Sequence, residues 1–201
     1  MCVPRWHDGA VLSSLIGGSG VYSVTPANAQ YVWGGWYEHG SLIWRSRWVT
    51  TSYVVDCREA LAFPGDPATA VLLRRVEATS GAARVRAVLK ADARFGREPM
   101  KDIARQGEVW TARSGPLYLR WSGAAGAVVH EEGWLDLTID VPAGGRHDLA
   151  LEVSDARCCG RHRSPTAPGR RPRTPGAWRF PRSRAPWPIR TSGSRMPSCV
   201  A

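Results

Sequence analysis

The chain has 201 residues, 43% of them hydrophobic, enough for one domain with a true core. It contains no apolar run of 18 residues or more, which excludes a membrane-spanning helix. The net charge of +10 suggests nucleic-acid binding until it is located. Residues 1–155 carry 16 Lys and Arg against 17 Asp and Glu, whereas residues 156–201 carry 11 Arg and no acid. A near-neutral body is joined to a tail of different character.

At the start, Cys2-Val3-Pro4 reads as the end of a strand. Asp8 is placed to cap a short helix from Gly9 to about Ile16, stopped by Gly17-Gly18. A chain that begins inside a strand reads as a domain incomplete at its start. The apolar stretch AVLSSLIGG followed by Ala27-Asn28-Ala29 imitates a secretory leader. Asp8 precedes that stretch and Gly17, Gly18 and Gly20 interrupt it, so a cytoplasmic protein is expected.

From Gly20 to Asp155 the hydrophobic period is 2. In 42–50, Leu42, Trp44, Ser46 and Trp48 share one face. In 53–63, Tyr53, Val55, Cys57, Leu61 and Phe63 share one face, interrupted by Glu59. Pro64-Gly65-Asp66-Pro67 reads as a turn. The next strand covers 71–79, and Ser80-Gly81 turns into 83–93, where Val85, Ala87, Leu89 and Ala91 oppose Arg84, Arg86 and Lys90. Segment 97–106 reads equally as a short helix or an excursion. Further strands are expected at 109–113, 117–122, 127–130, 135–141 and 147–153, the last two joined by Pro142-Ala143-Gly144-Gly145. Ten or more short strands with Gly/Pro turns predict an all-β, antiparallel β-sandwich.

The residues give no convincing active site. Five cysteines without a C-x-x-C pair argue against a metal site, and no cofactor is expected. Glu131 and Glu132 are neighbours, so in a strand they point to opposite faces; a solvated turn before Gly133 suits them better. His7-Asp8 lacks a nucleophile in a G-x-S-x-G frame, and Gly17-Gly18-Ser19-Gly20 fits no phosphate loop. Eight of the ten tryptophans lie in the body, where packing explains most of them. Trp33-Gly34-Gly35-Trp36 reads as a loop or bulge, and Trp33 and Trp36 are the candidate exposed pair for stacking on a sugar ring.

The stretch GSLIWRSRWVTTSYVVDCREALAFPGDPATAVLLRRVEA, from Gly40 to Ala78, resembles the N-terminal β-sandwich domain of bacterial glycoside hydrolase family 15 proteins, the glucoamylase-like and trehalase-like enzymes. MCVPRWHDGAVLSSLIGG at 1–18 resembles the segment that follows the opening hairpin of that family, and YLRWSGA at 118–124 continues the match. The resemblance covers residues 1–155. It implies a domain that supports a catalytic (α/α)6 barrel, where two glutamates cleave α-glucosidic bonds with inversion. No position here matches those glutamates, so the resemblance assigns no catalytic residue to this chain. The expected role is non-catalytic, the expected partner is a barrel that this chain lacks, and α-glucosides are the associated ligands.

Residues 156–201 contain 8 Pro among their 11 Arg and keep neither periodicity. A disordered linker and an Arg-rich RNA-binding arm are both compatible with that composition. Out-of-frame translation of GC-rich DNA accounts for it better. Shifting plausible codons for 178–201 by one base restores acids and a helical apolar spacing, similar to the linker helix before the barrel. A stand-alone carbohydrate-binding module and a nucleic-acid binder acting through the tail are the competing functional readings.

Overall fold

The computed structural model describes residues 1–63 and 67–155. The tail at 156–201 and residues 64–66, on which the expected turn falls, lie outside the described residues. Twelve strands follow in chain order: β1 (Val21–Pro26), β2 (Val32–Tyr37), β3 (Trp44–Val49), β4 (Val54–Leu61), β5 (Thr69–Ser80), β6 (Ala83–Lys90), β7 (Met100–Gln106), β8 (Val109–Ser114), β9 (Leu117–Ser122), β10 (Val128–Val129), β11 (Leu135–Val141) and β12 (Arg146–Asp155). They build two antiparallel sheets. The larger runs β2-β3-β4-β5-β12-β9-β8-β7, and the smaller runs β1-β6-β11-β10. The protein is an all-β sandwich, as the alternation predicts.

Alternation also fixes which side chains meet between the sheets. From the small sheet come Tyr22 and Val24 of β1, Val85, Ala87 and Leu89 of β6, and Leu135, Leu137 and Ile139 of β11. From the large sheet come Val55 and Cys57 of β4, Val76 of β5, Leu149, Leu151 and Val153 of β12, Leu119 and Trp121 of β9, and Trp110 of β8. Trp121 meets Tyr22 edge-on at 5.8 Å and donates its indole N–H to the phenol oxygen at 3.1 Å, so neither polar end is stranded in the core. Arg84, Arg86 and Lys90 stand on the opposite face of β6, where Arg84 pairs with Asp140 and Arg86 with Asp136.

Four expectations need correction. Residues 9–16 do not form a capped helix; only Ser14–Ile16 make a 3-10 turn. Asp8 instead accepts the backbone N–H of Arg5 at 2.9 Å, while Ala10 and Val11 are buried and Cys2 bridges to Ala10. The gain from burying these apolar residues outweighs one short helix. Trp33-Gly34-Gly35-Trp36 is regular strand: β2 pairs with β3 in one unbroken register. Segment 97–106 resolves to strand β7, bent by a register shift between Lys101 and Ala104, with Asp102 in the left-handed region at φ 52°. Leu42, Leu61 and Phe63 are exposed, although their parity placed them with the core.

Candidate functional site: an aromatic edge

The large sheet has eight strands and the small one four. Residues of β2 therefore lie beyond the cover of the small sheet, and all six are exposed on both faces. Register assigns the faces. Cross-strand partners share a face, so Trp33 lies with its partner Trp48, Gly35 with Ser46, and Tyr37 with Trp44. Ser46 and Trp48 are buried, which makes this the inner face. Trp36, opposite Arg45, is on the outer face.

The two sequence candidates therefore do not form a pair. Trp33 is 55% exposed and Trp36 40% exposed, but they project from opposite sides of one strand. Trp33 is paired with Trp48 and shares the inner face with Tyr37 and Trp44, which lie farther along the two strands. Tyr37 and Trp44 meet edge-to-face at 5.0 Å, and the Trp44 indole N–H is satisfied by Ser46 Oγ at 3.0 Å. Gly35 is required beneath that ring: a Cβ there would stand 2.3 Å from Trp44 Cζ2. Spacing 33, 35, 37 carries the signal for this grouping, but only once 32–37 is read as strand. The adjacent glycines argued for a loop and hid it.

The same inner row continues from Trp44 to Glu59 of β4 and Arg74 of β5. Arg74 Nε lies 3.0 Å from Glu59 Oε1, and its guanidinium stacks 3.9 Å from the Tyr22 ring. Burial pushes the Tyr22 phenol up to about 12, with the Arg74 charge acting against it. Cys57, one row away, is likewise pushed up to about 12 by burial, reinforced by Glu59. A thiol held protonated in this way is no nucleophile.

On the outer face the charges neutralise one another. Arg47 grips Asp56 at 2.6 and 2.8 Å, Arg58 grips Glu38 at 2.6 and 2.7 Å, and Arg75 grips Asp148 at 2.6 and 2.7 Å. Trp36 lies under Arg47, 5.5 Å from the ring centroid. Such clamped carboxylates are acceptors whose lone pairs are already used. Glu131 and Glu132 are exposed at the β10–β11 turn, and His7 stands 4.0 Å from Asp8 with no nucleophile beside it. A cleft of about 400 Å³, open to solvent, lies between the N-terminal segment and Arg94, where Arg5 sits 3.5 Å from both Asp8 and Asp155. Among the described residues no cluster of three or more His, Cys, Asp or Glu could hold a metal ion, and no helix is long and apolar enough to cross a membrane. The chain matches no protein-family model and no curated protein.

Proposed function

We propose that this chain is the non-catalytic β-sandwich module of a bacterial α-glucoside hydrolase of the family 15 type, working in the cytoplasm beside a helical catalytic barrel. The observation that carries this reading is the place of the resembling block. Residues 40–78 become β3, β4 and most of β5, three adjacent strands of the large sheet, in an architecture of the kind the resemblance implies. Exposed apolar side chains outside the core, including Leu42, Leu61 and Phe63, suit a module that is covered by another domain. Co-expression with the helical domain of a family 15 enzyme tests it. The two should co-purify, glucoside turnover should require the helical domain, and the sandwich should melt higher in the complex. Turnover of trehalose or maltose by this chain alone, or no association, refutes the reading.

A second reading, direct saccharide binding, is favoured by the inner-face group of Trp33, Tyr37 and Trp44. A pyranose stacks on an aromatic ring through its C–H face. Titration with trehalose, maltose and soluble starch should then quench tryptophan fluorescence, and Tyr37→Ala should abolish the change. A flat titration removes this reading. Trp36, on the other face, takes no part in it.

A further inference from the structure

We propose that β2 is a self-pairing edge through which two copies of this chain join their large sheets around a two-fold axis at Gly35. This inference is independent of the glucoside-hydrolase reading.

Each of the other sheet edges carries a guard. β7 is bent by its register shift and bears Lys101, Asp102 and Arg105; β10 is two residues long; β1 ends in Pro26. β2, Val-Trp-Gly-Gly-Trp-Tyr, has no proline, no charge and no register shift. Its outward backbone groups have a definite phase. Glu38 donates its N–H to Ile43 O at 2.9 Å, so Glu38 faces β3. Alternation then turns Trp36, Gly34 and Val32 toward β3, and turns the N–H and C=O of Tyr37, Gly35 and Trp33 toward the open edge.

A two-fold axis normal to the sheet keeps inner faces on one side, so opposed residues must share parity. With the axis at Gly35, Trp33 opposes Tyr37 of the second copy, Gly35 opposes itself, and Gly34 opposes Trp36. The three odd-numbered pairs are the outward-facing ones, and they exchange about six main-chain hydrogen bonds. Side chains fit as well. On the inner face each Trp33 meets a Tyr37, an aromatic cross-strand pair. On the outer face each Trp36 lies over a Gly34, which has nothing within 4 Å of an added Cβ. A one-residue shift of the axis keeps the hydrogen-bond phase but leaves only two outward pairs within β2, and it sets Trp36 against Val32 or against its own copy instead of Gly34.

Sedimentation of the full chain over a range of concentrations is the test. A monomer–dimer equilibrium is expected. Trp33→Pro removes an outward N–H and the indole that meets Tyr37 but no hydrogen bond to β3, so it should keep the thermal transition and weaken the dimer about tenfold or more. The register is tested by a charge swap. Trp33→Lys/Tyr37→Lys and Trp33→Glu/Tyr37→Glu variants should each be monomeric alone and should form a heterodimer when mixed. If Trp33→Pro does not fold, the mixing experiment decides alone. A wild-type chain that stays monomeric, open-ended oligomers, a dimer indifferent to Trp33→Pro, or a failure of the mixed variants to pair would each overturn the proposal.

Discussion

Tyr22 and Cys57 are sealed between the sheets, and burial raises both to about 12 from ordinary values of 10.0 and 9.0. The folded protein thus prefers their neutral forms more strongly than the unfolded chain does. Their contribution to stability is complete below pH 9.0 and is lost as pH rises from there to about 12. The thermal midpoint should fall through this window. Cys57→Ala should delay the onset of the fall from pH 9.0 to 10.0 and make it shallower above that, whereas Tyr22→Phe should make it shallower only above pH 10.0. A midpoint whose alkaline slope is the same in wild type and both variants contradicts the assignment. A second residue-scale asymmetry lies at Asp56, whose carboxylate is fully buried and held by the partly exposed Arg47. Arg47→Ala removes both arginine hydrogen bonds to that carboxylate, leaving Arg45 at 3.6 Å, and should cost about 2 kcal/mol by urea denaturation. Asp56→Ala frees two arginines, Arg45 and Arg47, that can reach water, and should cost less. Equal losses would show that the buried acceptor is not what matters.

Turns decide how these strands connect, and two glycines separate backbone strain from crowding. Gly81, between β5 and β6, has φ +70°, and a Cβ there would lie 2.5 Å from the Ser52 carbonyl oxygen. Gly144, between β11 and β12, has φ +72° with open space around it. Gly144→Ala should cost about 1 kcal/mol, the left-handed penalty alone. Gly81→Ala should cost about 3 kcal/mol, because a carbonyl must move as well. Similar melting points for the two variants would refute this difference. Such turns also explain what could be read without coordinates. The strand from Leu117 to Ser122 and that from Leu135 to Val141 are legible to the residue, because alternating apolar positions are bounded by Gly or Pro. β2 was not legible. Its glycines signal a turn, and its alternation is hidden because neither face is buried. β7 fails for a related reason: its only buried residue is Met100, so it presents no apolar stripe. The shared face of Trp33, Tyr37 and Trp44 was illegible as a consequence, since it follows only from the register of a strand that the sequence disguises.

The whole sandwich has a boundary that parity alone does not reveal. One inner row crosses the large sheet from Leu61 through Leu72 and Leu151 to Trp121. These residues share a face and a chemistry. Leu151 is 1% exposed and Trp121 likewise, yet Leu61 is 60% exposed. The difference is the small sheet, whose edge strand β1 places Tyr22 beside Trp121 and over Arg74 of β5. Trp48, Val55 and Cys57 are still covered, but the Leu61 end of β4 and the whole of β2 reach beyond that edge. Sequence parity therefore predicts which way a side chain points, while the number of strands in the opposing sheet determines whether it meets anything. Truncation along the row measures the boundary directly. Leu151→Ala leaves a hole among Leu119, Val153 and Trp121 and should cost about 3 kcal/mol. Leu61→Ala, chemically the same change on the same face, should cost less than about 0.5 kcal/mol. Leu72→Ala, half-buried between them, should fall between these values. Denaturant midpoints for the three variants should be ordered as their burial is, with a constant m-value if each still unfolds in one step. An equal cost at Leu61 and Leu151 would mean that the cover extends across β4, and the overhang on which the exposed edge depends would not exist.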